Sequence, residues 1–129
     1  SDRYEQAGTY HQLGNVAYQL RQYEQAKDYY QQALDIYIEY GDLYEQAHTY
    51  GQLGMLAEEL SEFKQAKSYY LQALEIFVEF EDQQYRDLVI RKLASLYQKT
   101  QDNSLLTKVA TMFEMTEAKV KELFESIEE

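Results

Sequence analysis

At 129 residues, the chain is one ordinary domain or a piece of a longer array, and its apolar content argues against disorder. It contains no Cys, Pro or Trp, which excludes disulfides, thiolate metal sites and Cys nucleophiles and leaves few helix breakers. A net charge of −11 repels phosphate backbones and anionic lipid, and no apolar run is long enough to span a bilayer; no nucleic acid and no membrane is expected as a partner.

The chain opens at Ser1 within a repeat phase and without Met, which reads as a segment excised from a longer protein. No signal peptide leads it, and the lack of Cys suits a reducing cytoplasm. Residues 4–40 and 44–80 carry nearly the same text, with identity at 21 of 37 aligned positions. In the first half of unit one, Ala7, Tyr10, Leu13, Gly14, Ala17 and Leu20 recur three or four apart and form one apolar stripe on a helix. In its second half Tyr23, Ala26, Tyr30, Ala33, Tyr37 and Tyr40 do the same; Phe63, Ala66, Tyr70, Ala73, Phe77 and Phe80 repeat them. Each unit is therefore expected to be two amphipathic helices.

The boundaries have local causes. Asp2 with Glu5 and Asp42 with Glu45 read as capping boxes, and Gly41 is placed to end the preceding helix in the left-handed conformation. The turns within the units fall near 21–23 and 61–63, with Ser61 expected as a cap. A mid-helix Gly costs about 0.5–1 kcal/mol relative to Ala, so Gly14 and Gly54 are expected where helices cross closely. After residue 83 the pattern degrades. Ile90, Leu93, Ala94 and Tyr97 hold first-helix positions, but Leu106, Ala110 and Phe113 stand where Ala, aromatic and Ala belong. Asn103 or Ser104 is expected to cap that helix. A final helix after Thr116 places Val120, Leu123, Phe124 and Ile127 on one face and Glu117, Glu122, Glu125, Glu128 and Glu129 on the other, as a terminal cap requires.

Tyr10, Leu13-Gly14, Ala17, Ala26, Tyr30 and Ala33, repeated as Tyr50, Leu53-Gly54, Ala57, Ala66, Tyr70 and Ala73, resemble the tetratricopeptide repeat at every interval. The period of 40 is longer than the usual 34 and is similar to a long-repeat subgroup that includes kinesin light chains, GoLoco-binding spindle adaptors and bacterial signalling ATPases. The resemblance implies an all-α superhelix of antiparallel helix pairs, with repeats at about 3–41, 42–81 and (degenerate) 83–114 and a cap helix at about 116–128. The extra length is expected on the second helix of each pair.

In that family the first helices line a concave groove. Carried over by position, the groove set is Gly8, His11, Gln12, Asn15, Tyr18 and Gln19 in unit one and His48, Gly51, Gln52, Met55, Glu58 and Glu59 in unit two. Leu88, Arg91, Lys92, Ser95, Gln98 and Lys99 follow in unit three. Apart from Gln12 and Gln52, these positions differ between the first two copies, and such polar variety is what peptide recognition uses. The strongest candidates are His11, Asn15, Tyr18, Gln19, His48, Met55, Glu58, Glu59, Arg91 and Ser95. Some members of the family hold a C-terminal carboxylate with a clamp of Lys and Asn. Asn15 occupies a clamp position, but His11 and Met55 replace the expected Lys and Asn. A segment carrying basic or amide groups against Glu58 and Glu59 is the expected ligand.

No catalytic motif is present; Glu58 and Glu59, adjacent on a helix, point about 100° apart and cannot face each other as an acid–base pair. The expectation is a non-enzymatic scaffold with a protein or peptide partner and no cofactor or metal. The alternatives are a structural module that self-associates through repeat ends and a sensor segment of a larger bacterial signalling ATPase.

Overall fold

The structure is a computed structural model and describes residues 2–127. Glu128 and Glu129, assigned above to the acidic face of the last helix, lie outside the described residues, as does Ser1. The described residues form seven helices and no strand: α1 (Asp2–Gln19), α2 (Tyr23–Glu39), α3 (Leu43–Glu59), α4 (Phe63–Glu79), α5 (Gln83–Thr100), α6 (Ser104–Phe113) and α7 (Glu117–Ser126).

One backbone device ends each of the first four helices. The residue after the cap turns left-handed at Arg21, Gly41, Ser61 and Glu81, with φ between 54° and 67°. The next amide then reaches back to a carbonyl five residues earlier: Gln22 to Ala17 at 2.9 Å, Asp42 to Tyr37 at 2.9 Å, Glu62 to Ala57 at 2.8 Å and Asp82 to Phe77 at 3.0 Å. This closure satisfies orphan helix carbonyls and reverses the chain in a few residues. Ser61 therefore terminates a helix rather than capping one. Glu62 holds the N-cap position of α4 without a side-chain bond.

Acids cap the starts of α3, α5 and α6. The Asp42 carboxylate accepts from the Glu45 amide at 3.1 Å, and Asp82 accepts from Tyr85 at 3.1 Å. Asp2, the first described residue, is already helical. At α6 the cap is neither Asn103, whose side chain makes no capping bond, nor Ser104, which opens the helix. Asp102 serves instead, accepting from the Ser104 amide at 3.0 Å and its hydroxyl at 2.7 Å. The capping acids also clasp successive units: the Tyr4 hydroxyl donates to Asp42, and 40 residues on, the Tyr44 hydroxyl donates to Asp82.

Packing explains the small residues. A Cβ on Gly14 would stand 2.6 Å from ring carbons of Tyr30, and one on Gly54 would stand 2.5 Å from Tyr70. The crossing of α1 with α2, and of α3 with α4, is thus set by an aromatic ring lying on a bare helix backbone. Consecutive helices pack side by side from α1 to α5. The longer period is not carried by the second helix alone, since α3 and α4 both hold 17 residues.

The two ends differ. On α3, Leu53 and Leu56 are 1% exposed because α2 covers them with Ala26, Tyr30 and Leu34. Their counterparts Leu13 and Val16 are 40% and 54% exposed, and Leu20 is 63% exposed, since no described helix precedes α1. The stripe read from the sequence is therefore only partly buried in α1. At the other end α5 packs on α7, and α6 packs on α7 and α4. Val120 and Phe124 of α7 are fully buried, and Gln98 of α5 donates to the Phe124 carbonyl at 3.0 Å.

Candidate functional site

Helices α1, α3 and α5 supply most of the walls of two hollows. The smaller, of about 330 Å³, is lined by Gly8, His11, Gln12, Asn15, Tyr37, Glu45, His48 and Gln52. The larger, of about 500 Å³, is lined by Tyr18, Met55, Glu58, Glu59, Tyr70, Leu88, Arg91, Lys92, Ser95, Lys99 and Ile127. Of the ten strongest candidates from the sequence, His11, Asn15 and His48 fall in the first hollow. Tyr18, Met55, Glu58, Glu59, Arg91 and Ser95 fall in the second. Gln19 is exposed and lines neither.

In the smaller hollow the imidazoles are tied to the fold. His11 Nδ1 lies 3.4 Å from the Thr49 hydroxyl, and the ring sits edge-on to Tyr30 at 5.5 Å. Burial, then proximity to His48, lowers its pKa, which favours the neutral ring. His48 is wedged among Tyr44, Phe77 and Tyr85, with ring centroids 4.8, 5.1 and 4.3 Å away. It packs in the seam among α3, α4 and α5. Among the described residues no group of three His, Cys, Asp or Glu is placed to hold a metal.

The larger hollow is organised by one carboxylate. Glu58 Oε1 accepts from the Tyr70 hydroxyl at 2.5 Å, and Oε2 accepts from Lys99 Nζ at 3.0 Å. Burial, then the bond to Glu58, pushes the Tyr70 phenol well up. The Tyr18 hydroxyl lies 3.4 Å from Glu59 Oε1, and its pKa is pushed up to about 12, by burial first and then by Glu59. Leu88 leaves 45% of its surface exposed on this wall.

Four contributors were not among the sequence candidates: Tyr37 and Glu45 line the smaller hollow, and Tyr70 and Ile127 the larger. Ile127 reaches the larger hollow from beyond α7, and Tyr70 reaches it from α4. The Tyr70 signal is visible in retrospect. In unit one the equivalent Tyr30 hydroxyl donates to Asn15 Oδ1 at 2.7 Å. Unit two has Met55 at that position, which accepts poorly, so the phenol turns to Glu58, one turn further along the same helix.

No described helix is long and apolar enough to cross a membrane. A family model described as tetratricopeptide repeat matches residues 5–77. A comparison with curated proteins gives no significant match.

Proposed function

Because the chain belongs to the tetratricopeptide repeat family, whose repeats generally serve protein–protein interaction, we propose that its concave side receives a peptide or protein segment. The observation that carries this reading is where the copies differ. Core positions such as Ala7 and Ala47, Tyr30 and Tyr70, or Ala33 and Ala73 repeat and are buried. Several residues facing the two hollows do not repeat: Gly8 stands against His48 and Leu88, His11 against Arg91, Asn15 against Met55 and Ser95, and Tyr18 against Glu58, while Gln12 recurs as Gln52. Packing accounts for the repeated positions and leaves the variable ones to recognition. The absence of Cys is compatible with a reducing cytoplasm as the setting. The test is affinity capture on the immobilised chain, comparing Tyr18→Ala, Met55→Ala and Leu88→Ala with Gln32→Ala on the exposed face of α2. Loss with the first three and retention with the last supports the groove; equal retention by all four removes it.

A second reading is favoured by the uncovered face of α1. Leu13, Val16 and Leu20 present the surface that α2 covers on α3, so self-association through this repeat end is the alternative. A mass by light scattering that stays monomeric over a wide concentration range counts against it.

A further inference from the structure

We propose that the larger hollow takes an internal acidic segment of a partner, with an apolar side chain seated between its carboxylates; this rests on the groove reading above. The chain as a whole carries −11, and its wall of Glu58 and Glu59 invites the opposite expectation of a basic ligand. The geometry reverses it. Glu58 is occupied on both oxygens, by Tyr70 and by Lys99. A basic side chain would have to displace Lys99 to reach Glu58, and at Glu59, the other carboxylate, it would share the wall with Arg91 and Lys92.

Arg91 and Lys92 make no ion pair among the described residues. Among the described residues that line it, three cations (Arg91, Lys92, Lys99) face two carboxylates (Glu58, Glu59), a balance of +1. An anionic segment gains from the two free cations without undoing any bond already made. Met55 and the exposed Leu88 offer the apolar floor between them.

The same geometry argues for an internal segment over a chain terminus. Neighbouring residues on a helix point about 100° apart, so Arg91 and Lys92 diverge and do not converge on a single carboxylate. They address two anionic groups spaced along a chain. The residues around them at the equivalent positions, Met55 and Ser95, bring no amide or charge to gather a lone terminal carboxylate.

The experiment uses the full chain and fluorescence anisotropy. One probe is a pool of short labelled peptides, acetylated and amidated at their ends, holding two Asp or Glu around one Leu or Phe. The second pool has Lys at the acidic positions. The acidic pool is expected to bind the more tightly, and Arg91→Glu with Lys92→Glu to weaken it about tenfold, the sum of two half-exposed charge contacts. The same variant is expected to shift preference toward the Lys pool, with an unchanged helical circular dichroism spectrum. The acidic assignment is overturned if the wild-type chain binds the Lys pool as well or better, or if the double reversal leaves acidic affinity unchanged. If the Lys pool binds and Met55→Ala or Leu88→Ala abolishes it, the groove reading survives and the acidic one falls. Binding of neither pool overturns both.

Discussion

Four glycines on the first helices of the pairs divide into two kinds, and alanine substitution should affect them with opposite sign. At position 54 the new Cβ would stand 2.5 and 2.6 Å from two ring carbons of Tyr70. That ring is 1% exposed and its hydroxyl is tied to Glu58 at 2.5 Å, so it has little room to swing aside. Overpacking of this kind costs about 1–3 kcal/mol, while replacing a mid-helix Gly returns about 0.5–1 kcal/mol, leaving Gly54→Ala destabilised by roughly 1–2 kcal/mol. Gly14→Ala, whose Cβ meets Tyr30 at 2.6 Å, should behave alike. At Gly8 and Gly51 nothing lies within 4 Å of the added atom, so only the propensity change remains. Gly8→Ala and Gly51→Ala should each gain about 0.5–1 kcal/mol. Urea unfolding followed by far-ultraviolet circular dichroism reads all four as midpoint shifts. Shortening the ring should relieve the clash, so Gly54→Ala combined with Tyr70→Leu should fall short of additivity by about 1 kcal/mol. A Gly54→Ala variant as stable as the parent, or a Gly51→Ala variant clearly weaker, refutes the crossing argument.

Removing the Cβ penalty at the left-handed helix ends should also stabilise: Arg21→Gly, Ser61→Gly and Glu81→Gly should each gain up to about 1 kcal/mol, and Gly41→Ala should lose a similar amount, read in the same urea assay. Burial pushes the Tyr30 phenol up to about 12. A group raised in the folded state stabilises fully below its unfolded pKa of about 10, and that contribution is lost as pH rises through about 12. Among fourteen tyrosines, phenolate absorbance should show a delayed subset that titrates together with loss of helicity, and simple titration near pH 10 for all of them would contradict the packing. On the acid side Asp82 is held below the ordinary carboxylate range, first by the Tyr44 hydroxyl and then by the Tyr85 amide. Asp102 is held down first by the Ser104 hydroxyl and then by Lys67. Depressed carboxylates stabilise above their unfolded pKa of about 4, and that contribution disappears as pH falls below it, so Asp82→Asn with Asp102→Asn should flatten the acid limb of the stability profile.

What could be foreseen from the sequence follows from what repeats. Ala26, Ala33, Ala66 and Ala73 and the rings of Tyr30 and Tyr70 recur with a helical period, and all are buried. Gly14 and Gly54 recur in register with those rings and meet them. Periodicity reports which face of a helix turns inward, but whether a neighbour covers that face depends on position in the stack. Leu13 and Leu53 occupy the same phase of their helices and end on opposite sides of the surface boundary, because α3 has α2 beside it and α1 has no described helix in that place. Local chemistry misled in a similar way at Ser61 and Asn103, good capping residue types whose backbones are already committed, one to the left-handed helix end and one to a helical turn. In each case the demand of the chain reversal outranked side-chain preference.

The groove was harder because its charges are settled by contacts far apart in sequence. Lys99 reaches Glu58 across 41 positions, a pairing that no local pattern announces. The chain of causes is nonetheless physical from end to end. Unit one offers Asn15 to the Tyr30 phenol, which keeps that hydrogen bond inside the helix pair. Unit two substitutes Met55, so the phenol of Tyr70 needs another acceptor and takes Glu58. Lys99 takes the other oxygen of the same carboxylate, and between them the two donors remove Glu58 from the set of groups free to greet a ligand. What is left facing the hollow is Arg91, Lys92 and the exposed Leu88, beside Glu59. Two differences between the copies, Met55 for Asn15 and Glu58 for Tyr18, thus redirect a buried hydroxyl, and among the described residues the wall that reads as acidic in the sequence presents Arg91 and Lys92 without an ion pair.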